Sequence, residues 1–392
     1  MELSLLIVIG AALCFDFTNG FHDTANAMAT SIATGALKPK VAVVLSACLN
    51  FAGAFISISV AATIAKGIVN PDVLTGGDGL VLVLAALIGA MTWNLITWYF
   101  TIPSSSSHAL IGGVIGATIA ATASHEVNWH NLVQTVIVPA VLSPFIAGGV
   151  AVLGTYMAYR LIRRLGQKEA RTGYRYGQIC SASLVSLAHG TNDAQKTMGV
   201  ISLALIAHGD ISSAHFAVPF WVKFGCALSI ALGTASGGWR IINTMGNRIT
   251  NVESPQGFAA ESSSAAVILA SSYYGYPLST TQVVSGGVLG AGLGRPGATV
   301  HWNVIGQMLS AWILTMPGAG VLGGVAWAIA DLFGAHSNVG AIVIVALAAA
   351  GAFGLWTLAQ RNKITPEDLD RTNVTVVEEA ELSGVPPAVA MT

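Results

Sequence analysis

The most constraining feature of the sequence is a set of apolar runs, each long enough to cross a lipid bilayer, which takes about 20 residues per helix. The clearest runs are residues 41–65, 80–102, 133–159, 303–330 and 339–360. Only 9% of the residues are charged, well below the proportion typical of soluble domains. The runs do not alternate between apolar and polar residues, as the strands of a membrane barrel do. The sequence therefore predicts an all-α integral membrane protein of about 9–12 membrane helices.

Charge and cysteine content exclude several kinds of partner. The formal net charge of −1 gives no basis for binding nucleic acid. The four cysteines lie in apolar runs without metal-ligand spacing, which indicates packing residues. We therefore predict no cofactor, no resident metal and no nucleic-acid partner. Residues 1–15 lack a basic segment and a cleavage site, so they predict a first membrane helix and not a removed signal.

Two motifs occur twice at nearly the same offset. Asp23 in "GFHDTANAMAT" matches Asp193 in "GTNDAQKTMGV", 170 residues later. "IPSSSSHALIGGVIGA" at 102–117 matches "YPLSTTQVVSGGVLGA" at 276–291, 174 residues later. Because two separate motifs share almost one offset, the chain contains an internal repeat.

A basic segment divides the two copies. Residues 160–178, "RLIRRLGQKEARTGYRYGQ", are predicted to form a cytoplasmic loop by the positive-inside rule. The first repeat is then 1–159 and the second 179–330. Residues 331–360 add a C-terminal membrane helix, and 361–392 form a polar, acidic cytoplasmic tail that we expect to be disordered.

Loop charges predict that the repeats have opposite orientations. "LKPK" at 37–40 is basic, whereas its counterpart "HGDISSAH" at 208–215 is not. In the next pair of loops, residues 66–79 and 237–250, the loop of the second copy is the basic one. Inverted repeats with broken helices are common in secondary transporters. In each repeat we expect a broken first helix, over residues 4–36 in the first, and a Pro-led helical hairpin, around Pro103 and Pro277. We expect residues 41–65 to form one helix.

Polar side chains interrupt the first apolar helix. Asp16, His22, Asp23 and Asn26 lie in or beside it, and Asp16 and Asp23 share one helix face. A charge at the bilayer centre costs about 3 kcal/mol. These residues predict a cation or proton site, unless the helix ends at the membrane interface near residues 18–20.

The second copy places a lysine among the same groups. Asn192, Asp193 and Lys196 lie in an otherwise apolar stretch, and Lys196 is one helical turn from Asp193. The pair either locks the helix as a buried ion pair or holds a fixed positive charge where the first copy has Asn26. Such a charge would attract an anion or replace a bound cation.

Hydroxyl side chains follow the two hairpin prolines. A helix that starts there offers free N–H groups and the positive end of its dipole to an anion. The alternative is that the hydroxyls act as N-caps and interhelical contacts. The candidate anion ligands are Ser105, Ser106, Ser107, Ser279, Thr280 and Thr281, together with Lys196.

Two further residues have a functional and a structural interpretation. His108 follows the first hydroxyl run and is able to relay protons, although its counterpart is Gln282. Glu261 lies just inside an apolar helix and is either a coupling residue or an acid at a helix end. The candidate coupling residues are Asp23, Asn26, Asn192, Asp193, His108 and Glu261.

The paired motifs resemble those of the inorganic phosphate transporter (Pit) family, and in particular its bacterial low-affinity members. The resemblance covers most of residues 10–330. It implies a phosphate transporter of the bacterial cell membrane, with a site between inverted repeats and a cation that drives uptake. It also implies that the hydroxyl triplets contact phosphate and that Glu261 matches a family acid. The chain would not be an enzyme.

Three residues depart from the family pattern, namely His22, Lys196 and Gln282. Lys196 would repel sodium from the second cation position, so we expect proton coupling, with phosphate carried either free or as a complex with a divalent metal. Sodium coupling remains the alternative, as does another oxyanion such as sulfate. An ion channel and a membrane-embedded enzyme are less consistent with two mirrored polar clusters. Oligomeric state is left open, and a homo-oligomer is compatible with the sequence.

Overall fold

The computed structural model describes residues 2–69, 77–122, 124–164, 167–212, 216–334 and 338–370. This part of the chain is almost entirely helical and contains no strand beyond two isolated bridges. The helices of the first half are α1 Glu2–Ala33, α2 Pro39–Gly53, α3 Ser59–Gly67, α4 Gly77–Tyr99, α5 Ser106–Ala121, α6 Trp129–Leu132 and α7 Val138–Ile162. Those that follow are α8 Gln167–His208, α9 Phe220–Ser236, α10 Trp239–Asn247, α11 Ser254–Tyr274, α12 Thr280–Leu293, α13 Trp302–Asp331 and α14 Asn338–Ala359.

Within the described residues, five helical segments are long and apolar enough to cross a membrane. They are Glu2–Ala33, Gly79–Tyr99, Trp129–Ile162, Trp302–Asp331 and Asn338–Ala359. The third combines α6 and α7, which a π-helical turn at Val133–Ile137 joins. The prediction of an all-α integral membrane protein is confirmed.

The order of helix lengths repeats along the chain. A long helix (α1, α8) is followed by two short helices (α2 and α3, α9 and α10), a hairpin (α4 and α5, α11 and α12) and another long segment (α6 and α7, α13). In each hairpin the turn has one residue with left-handed backbone, Thr101 at φ 59° and Gly275 at φ 78°. Both predicted Pro-led hairpins are present, and each second helix starts three residues after its proline.

The long first helix of each half crosses a short helix of the other half, and the two crossings have equivalent contacts. A side chain at Gly20 of α1 would collide with the Ile230 carbonyl of α9. A side chain at Gly190 of α8 would collide in the same way with the Asn50 carbonyl of α2. Glycine is required at both positions because a backbone carbonyl fills the space of Cβ.

The hairpins show the same reciprocity. Gly116 of α5 packs against the Gly320 carbonyl of α13, and Gly290 of α12 packs against the Gly148 carbonyl of α7. Each hairpin thus contacts the last long helix of the other half. Such an exchange of equivalent contacts is the pattern that a two-fold relation produces.

Two helix predictions differ from the structure. The first helix is not broken, because α1 is continuous from Glu2 to Ala33. Its polar residues face the protein interior, so the helix does not have to end to expose them. Residues 41–65 are not one helix, since α2 ends at Gly53 and α3 starts at Ser59. The Gln195 side chain accepts hydrogen bonds from the backbone N–H groups of Val60 and Ala61 and so satisfies the new helix start.

Parts of the predicted loop and of the predicted tail are helical. Of the basic segment 160–178, α8 includes everything from Gln167 onward, and residues 165–166 lie outside the described residues. At the start of the tail, Leu369 is buried and Lys40 donates a hydrogen bond of 2.8 Å to Glu367. This bond lowers the pKa of the exposed Glu367 carboxyl. Residues 371–392 lie outside the described part.

Candidate functional site

The candidate site lies where the polar faces of α1 and α8 meet the starts of α5 and α12. Asp16, Asn19, Asp23 and Asn26 are spaced by three, four and three residues, so they form one stripe along α1. Every one of these side chains is at most 2% exposed. The stripe therefore belongs to the protein interior, and the helix-end interpretation of these residues is wrong.

Asp23 connects the first half to both hairpins. Its Oδ1 is 2.6 Å from Nδ1 of His22, and its Oδ2 accepts a hydrogen bond of 2.6 Å from Ser106. The Thr281 hydroxyl of the second hairpin lies 3.5 Å from Oδ1. The first acid thus contacts hydroxyls from both predicted triplets.

Asp193 is the corresponding acid on α8. Its Oδ1 is 2.6 Å from Nζ of Lys196, which forms a buried ion pair. Its Oδ2 lies 3.4 Å from His189 Nε2, from Asn19 Nδ2 and from the Thr280 hydroxyl. Groups from α1, α8 and α12 therefore surround this carboxylate.

All three protons of Lys196 have acceptors. Besides Asp193, its ammonium donates to the Ser107 hydroxyl at 2.5 Å and to the Leu278 carbonyl at 2.8 Å. A buried ammonium with three acceptors is held as a fixed positive charge. The charge lies at the start of α5 and beside the turn that precedes α12, where a helix start already favours an anion.

Asn26 makes the equivalent contacts from the first half. Its amide donates to the hydroxyls of Thr280 at 3.2 Å and Thr281 at 3.0 Å. Asn26 therefore contacts the triplet of the second half, and Lys196 contacts that of the first. The structure brings together most of the residues that the sequence selected for phosphate and for coupling.

Each hydroxyl triplet divides into one cap and two site residues. Ser105 accepts a hydrogen bond from the His108 backbone N–H and caps α5. Ser279 accepts one from the Gln282 backbone N–H and caps α12. The N-cap interpretation thus applies to the first hydroxyl of each run. The other two hydroxyls of each run have hydrogen-bond partners at the site.

Two predicted coupling residues, Asn192 and His108, form hydrogen bonds with groups other than Asp23 and Asp193. Asn192 donates to the hydroxyls of Ser272 and Ser271 and to the Tyr276 carbonyl. His108 Nδ1 is 3.4 Å from the Gln282 amide, which joins the starts of α5 and α12.

Glu261 is buried and not at an exposed helix end. It accepts hydrogen bonds from Thr30 at 2.6 Å, from Ser181 at 2.5 Å and from Gln178 at 3.3 Å. Its carboxylate therefore ties α11 to α1 and α8.

Two site residues were missed from the sequence. His189 and Asn19 lie 170 residues apart, each four residues before its motif acid, and both contact Asp193. Their spacing from the acids was the available signal, because residues four apart share a helix face. Oxygen and nitrogen atoms of Asp23, His189 and Asp193 lie within 4.8 Å of one another, close enough to surround one small cation.

Comparison with known proteins gives this arrangement its context. The sequence model of the phosphate transporter family matches residues 19–173 and 162–323. The chain belongs to the phosphate transporter family. A probable low-affinity inorganic phosphate transporter of Mycobacterium tuberculosis is 53% identical over 379 residues, which cover 97% of this chain and 88% of the relative. One from Bacillus subtilis is 45% identical over 334 residues, which cover 84% of this chain and 98% of the relative.

A solved structure has the same fold. The protein described as the sodium-dependent phosphate transporter superposes with a TM-score of 0.75 at 23% identity, over 84% of this chain and 99% of that one. The resemblance to the phosphate transporter family is thus confirmed, and with it a multi-pass protein of the cell membrane. The family members are named as transporters, in agreement with the prediction that this chain is not an enzyme.

Proposed function

We propose that the chain imports inorganic phosphate by symport with protons, and that phosphate binds between the two hydroxyl-bearing helix starts. The observation that carries the proposal is the ion pair of Lys196 and Asp193, beside the hydroxyls of both hairpins. Within this pair, the Lys196 ammonium brings a positive charge next to the hydroxyls and helix starts of both hairpins.

The phosphate ligands would be the hydroxyls and helix starts of α5 and α12. Ser106, Ser107, Thr280 and Thr281 occupy the first two positions of these helices, where backbone N–H groups lack intrahelical partners. Lys196 adds a charge-assisted donor, as ammonium groups do for phosphates in other proteins. Ser105 and Ser279 would hold the helix starts in place as caps and contribute their remaining hydroxyl proton.

Lys196 also supports protons as the coupling ion. A sodium ion in the second half would need oxygen ligands where the ammonium now lies 2.6 Å from Asp193. Protons avoid this conflict, because a proton binds to a single group and needs no shell of oxygen ligands. Since phosphate is an anion, its entry against a negative interior requires that cations enter with it.

We further propose that residues 1–159 and 179–330 are inverted repeats that alternate around this site. The reciprocal glycine contacts of α1 with α9 and of α8 with α2 support a two-fold relation between them. Rocking of one half against the other would open the site to each side in turn.

Two alternatives to proton symport of free phosphate are each favoured by one observation. The name of the structural neighbour favours sodium coupling. The proximity of Asp23, His189 and Asp193 favours transport of phosphate together with a divalent metal as substrate.

Uptake of radioactive phosphate into proteoliposomes tests these proposals. An acidic exterior should drive accumulation in the absence of sodium, and a sodium gradient at equal pH should not. The opposite result would establish sodium coupling and refute proton symport. Removal of divalent metals with EDTA should leave uptake unchanged if phosphate travels free, and should stop it if the metal complex is the substrate. Sulfate in excess should not compete, whereas arsenate should.

A further inference from the structure

Asp16 is a buried acid that the phosphate site does not use. It lies on α1 two turns before Asp23, its side chain is fully buried, and neither carboxylate oxygen accepts a well-formed hydrogen bond or an ion pair. The Thr197 hydroxyl of α8 interacts with this carboxyl and, like Oδ1 of Asn19, has no other hydrogen-bond partner.

The other buried acids of α1, α8 and α11 differ from Asp16 in this respect. Asp23, Asp193 and Glu261 each accept two or more hydrogen bonds or ion pairs. An ionised carboxylate with no partner in an apolar interior is far less stable than its neutral form. Because Asp16 is buried without an ion pair, its proton is sensitive to the charges of the groups around it.

The charged and titratable groups that interact with Asp16 connect it to the phosphate site. From α8 they are Asp193 and Lys196, and from α9 the Cys226 thiol. Lys196 is the positive one of the three, and it also donates to Ser107 at the proposed phosphate site. A change in the charge near Lys196 thus alters the stability of an ionised Asp16.

We propose that Asp16 is the proton-binding residue that couples proton entry to phosphate entry, a role that depends on the proposed phosphate symport. While phosphate occupies Lys196, its negative charge disfavours a second anion at Asp16, so the carboxyl keeps its proton. When phosphate leaves, its negative charge no longer offsets that of Lys196, and the Asp16 carboxylate becomes more stable. The O–H bond then breaks and the proton passes to water on the same side. By linkage, the proton and phosphate must favour each other's binding equally.

The test uses Asp16→Asn, which is nearly isosteric and permanently neutral, in full-length protein reconstituted into liposomes. Two activities are measured, namely accumulation of labelled phosphate driven by an acidic exterior and exchange of labelled for unlabelled phosphate at equal pH. Exchange requires reorientation of the loaded protein but no release of the proton. Asp210→Asn, at an exposed position, is the matched control and should match the unmodified protein in both activities.

We expect Asp16→Asn to reduce driven accumulation at least tenfold while exchange stays within about threefold of the unmodified protein. Retention of driven accumulation, or an equal loss of both activities in a correctly folded variant, would overturn the proposal. If Asp16→Asn does not fold, Asp16→Glu should transport with a shifted pH profile, and an unchanged profile would also overturn it.

The same experiment separates this inference from the proposed function. If the unmodified protein accumulates no phosphate under a pH gradient, proton symport itself fails. If a sodium gradient drives the unmodified protein and Asp16→Asn abolishes this uptake, Asp16 is a cation ligand and not a proton carrier.

Discussion

Asn26 and Lys196 occupy corresponding positions in the two halves, and each hydrogen bonds to the hydroxyl run of the opposite half. Asn26 donates to Thr280 and Thr281, and Lys196 to Ser107. The contacts are equivalent but the charges are not. The candidate site is therefore similar in the framework of its two halves but not in its charges, because the first half has an amide where the second has an ammonium paired with Asp193.

The buried ion pair gives the first prediction. Lys196→Met leaves the Asp193 carboxylate buried without its partner, which typically destabilises a protein by about 3–5 kcal/mol. We expect a lower unfolding temperature in detergent and no phosphate uptake. The double variant Asp193→Asn with Lys196→Met should recover most of the stability but none of the uptake. Lys40→Met, at an exposed position, is the control. If the double variant transports phosphate, the ion pair has only a structural role.

The division of the hydroxyl runs gives the second prediction. Ser106→Ala removes a donor from the site, and its hydrogen bond of 2.6 Å to Asp23 is lost. We expect the KM for phosphate to rise about tenfold, as loss of one hydrogen bond to a charged group implies. Ser105→Ala instead removes a helix cap and should lower stability by about 1 kcal/mol, with a smaller rise in KM. Equal KM values for the two variants would contradict this division.

Opposite orientation of the repeats gives the third prediction. Lys38 follows α1 and Asp210 follows α8, both are exposed, and they lie at corresponding helix ends. Single cysteines at these positions are introduced after the four native cysteines are replaced by alanine. A membrane-impermeant maleimide should label residue 210 from outside and residue 38 only after permeabilisation. Labelling of both from one side would show parallel repeats.

The C-terminal segment gives the fourth prediction. The Lys40–Glu367 pair lies on the surface, so Glu367→Gln should release the C-terminal segment only slightly. Leu369→Ser removes a buried apolar contact and should release the segment more. Limited proteolysis measures the release. Because the pKa of Glu367 is lowered in the folded state, the pair contributes above the usual glutamate pKa of about 4.3. This contribution is lost as the pH falls further and Glu367 is protonated. Equal cleavage of both variants would contradict burial of Leu369 as the main contact.

Motifs that occur twice made much of the site predictable from the sequence. The two acids, Asp23 and Asp193, are separated by nearly the same number of residues as the two hydroxyl runs. Charged residues inside an apolar run also indicate a binding site. The sequence predicted the helix caps at Ser105 and Ser279 only as an alternative, because a hydroxyl after a proline suits both an N-cap and an anion ligand.

The sequence did not predict which polar residues would meet across helices. His189 and Asn19 look like isolated polar residues until α1 and α8 cross. The continuity of α1 was missed because its acids suggested a helix end, whereas neighbouring helices bury them. The break between α2 and α3 depends on Gln195, which is distant in sequence and supplies the cap.

Determination of the structure with bound arsenate, whose heavier atom is located directly, tests the central claim most directly. We predict one arsenate between α5 and α12, with oxygens within hydrogen-bond distance of Lys196 Nζ and of hydroxyls from both runs. Arsenate bound away from these helix starts, with the Lys196–Asp193 pair unchanged and closed to it, would contradict the account.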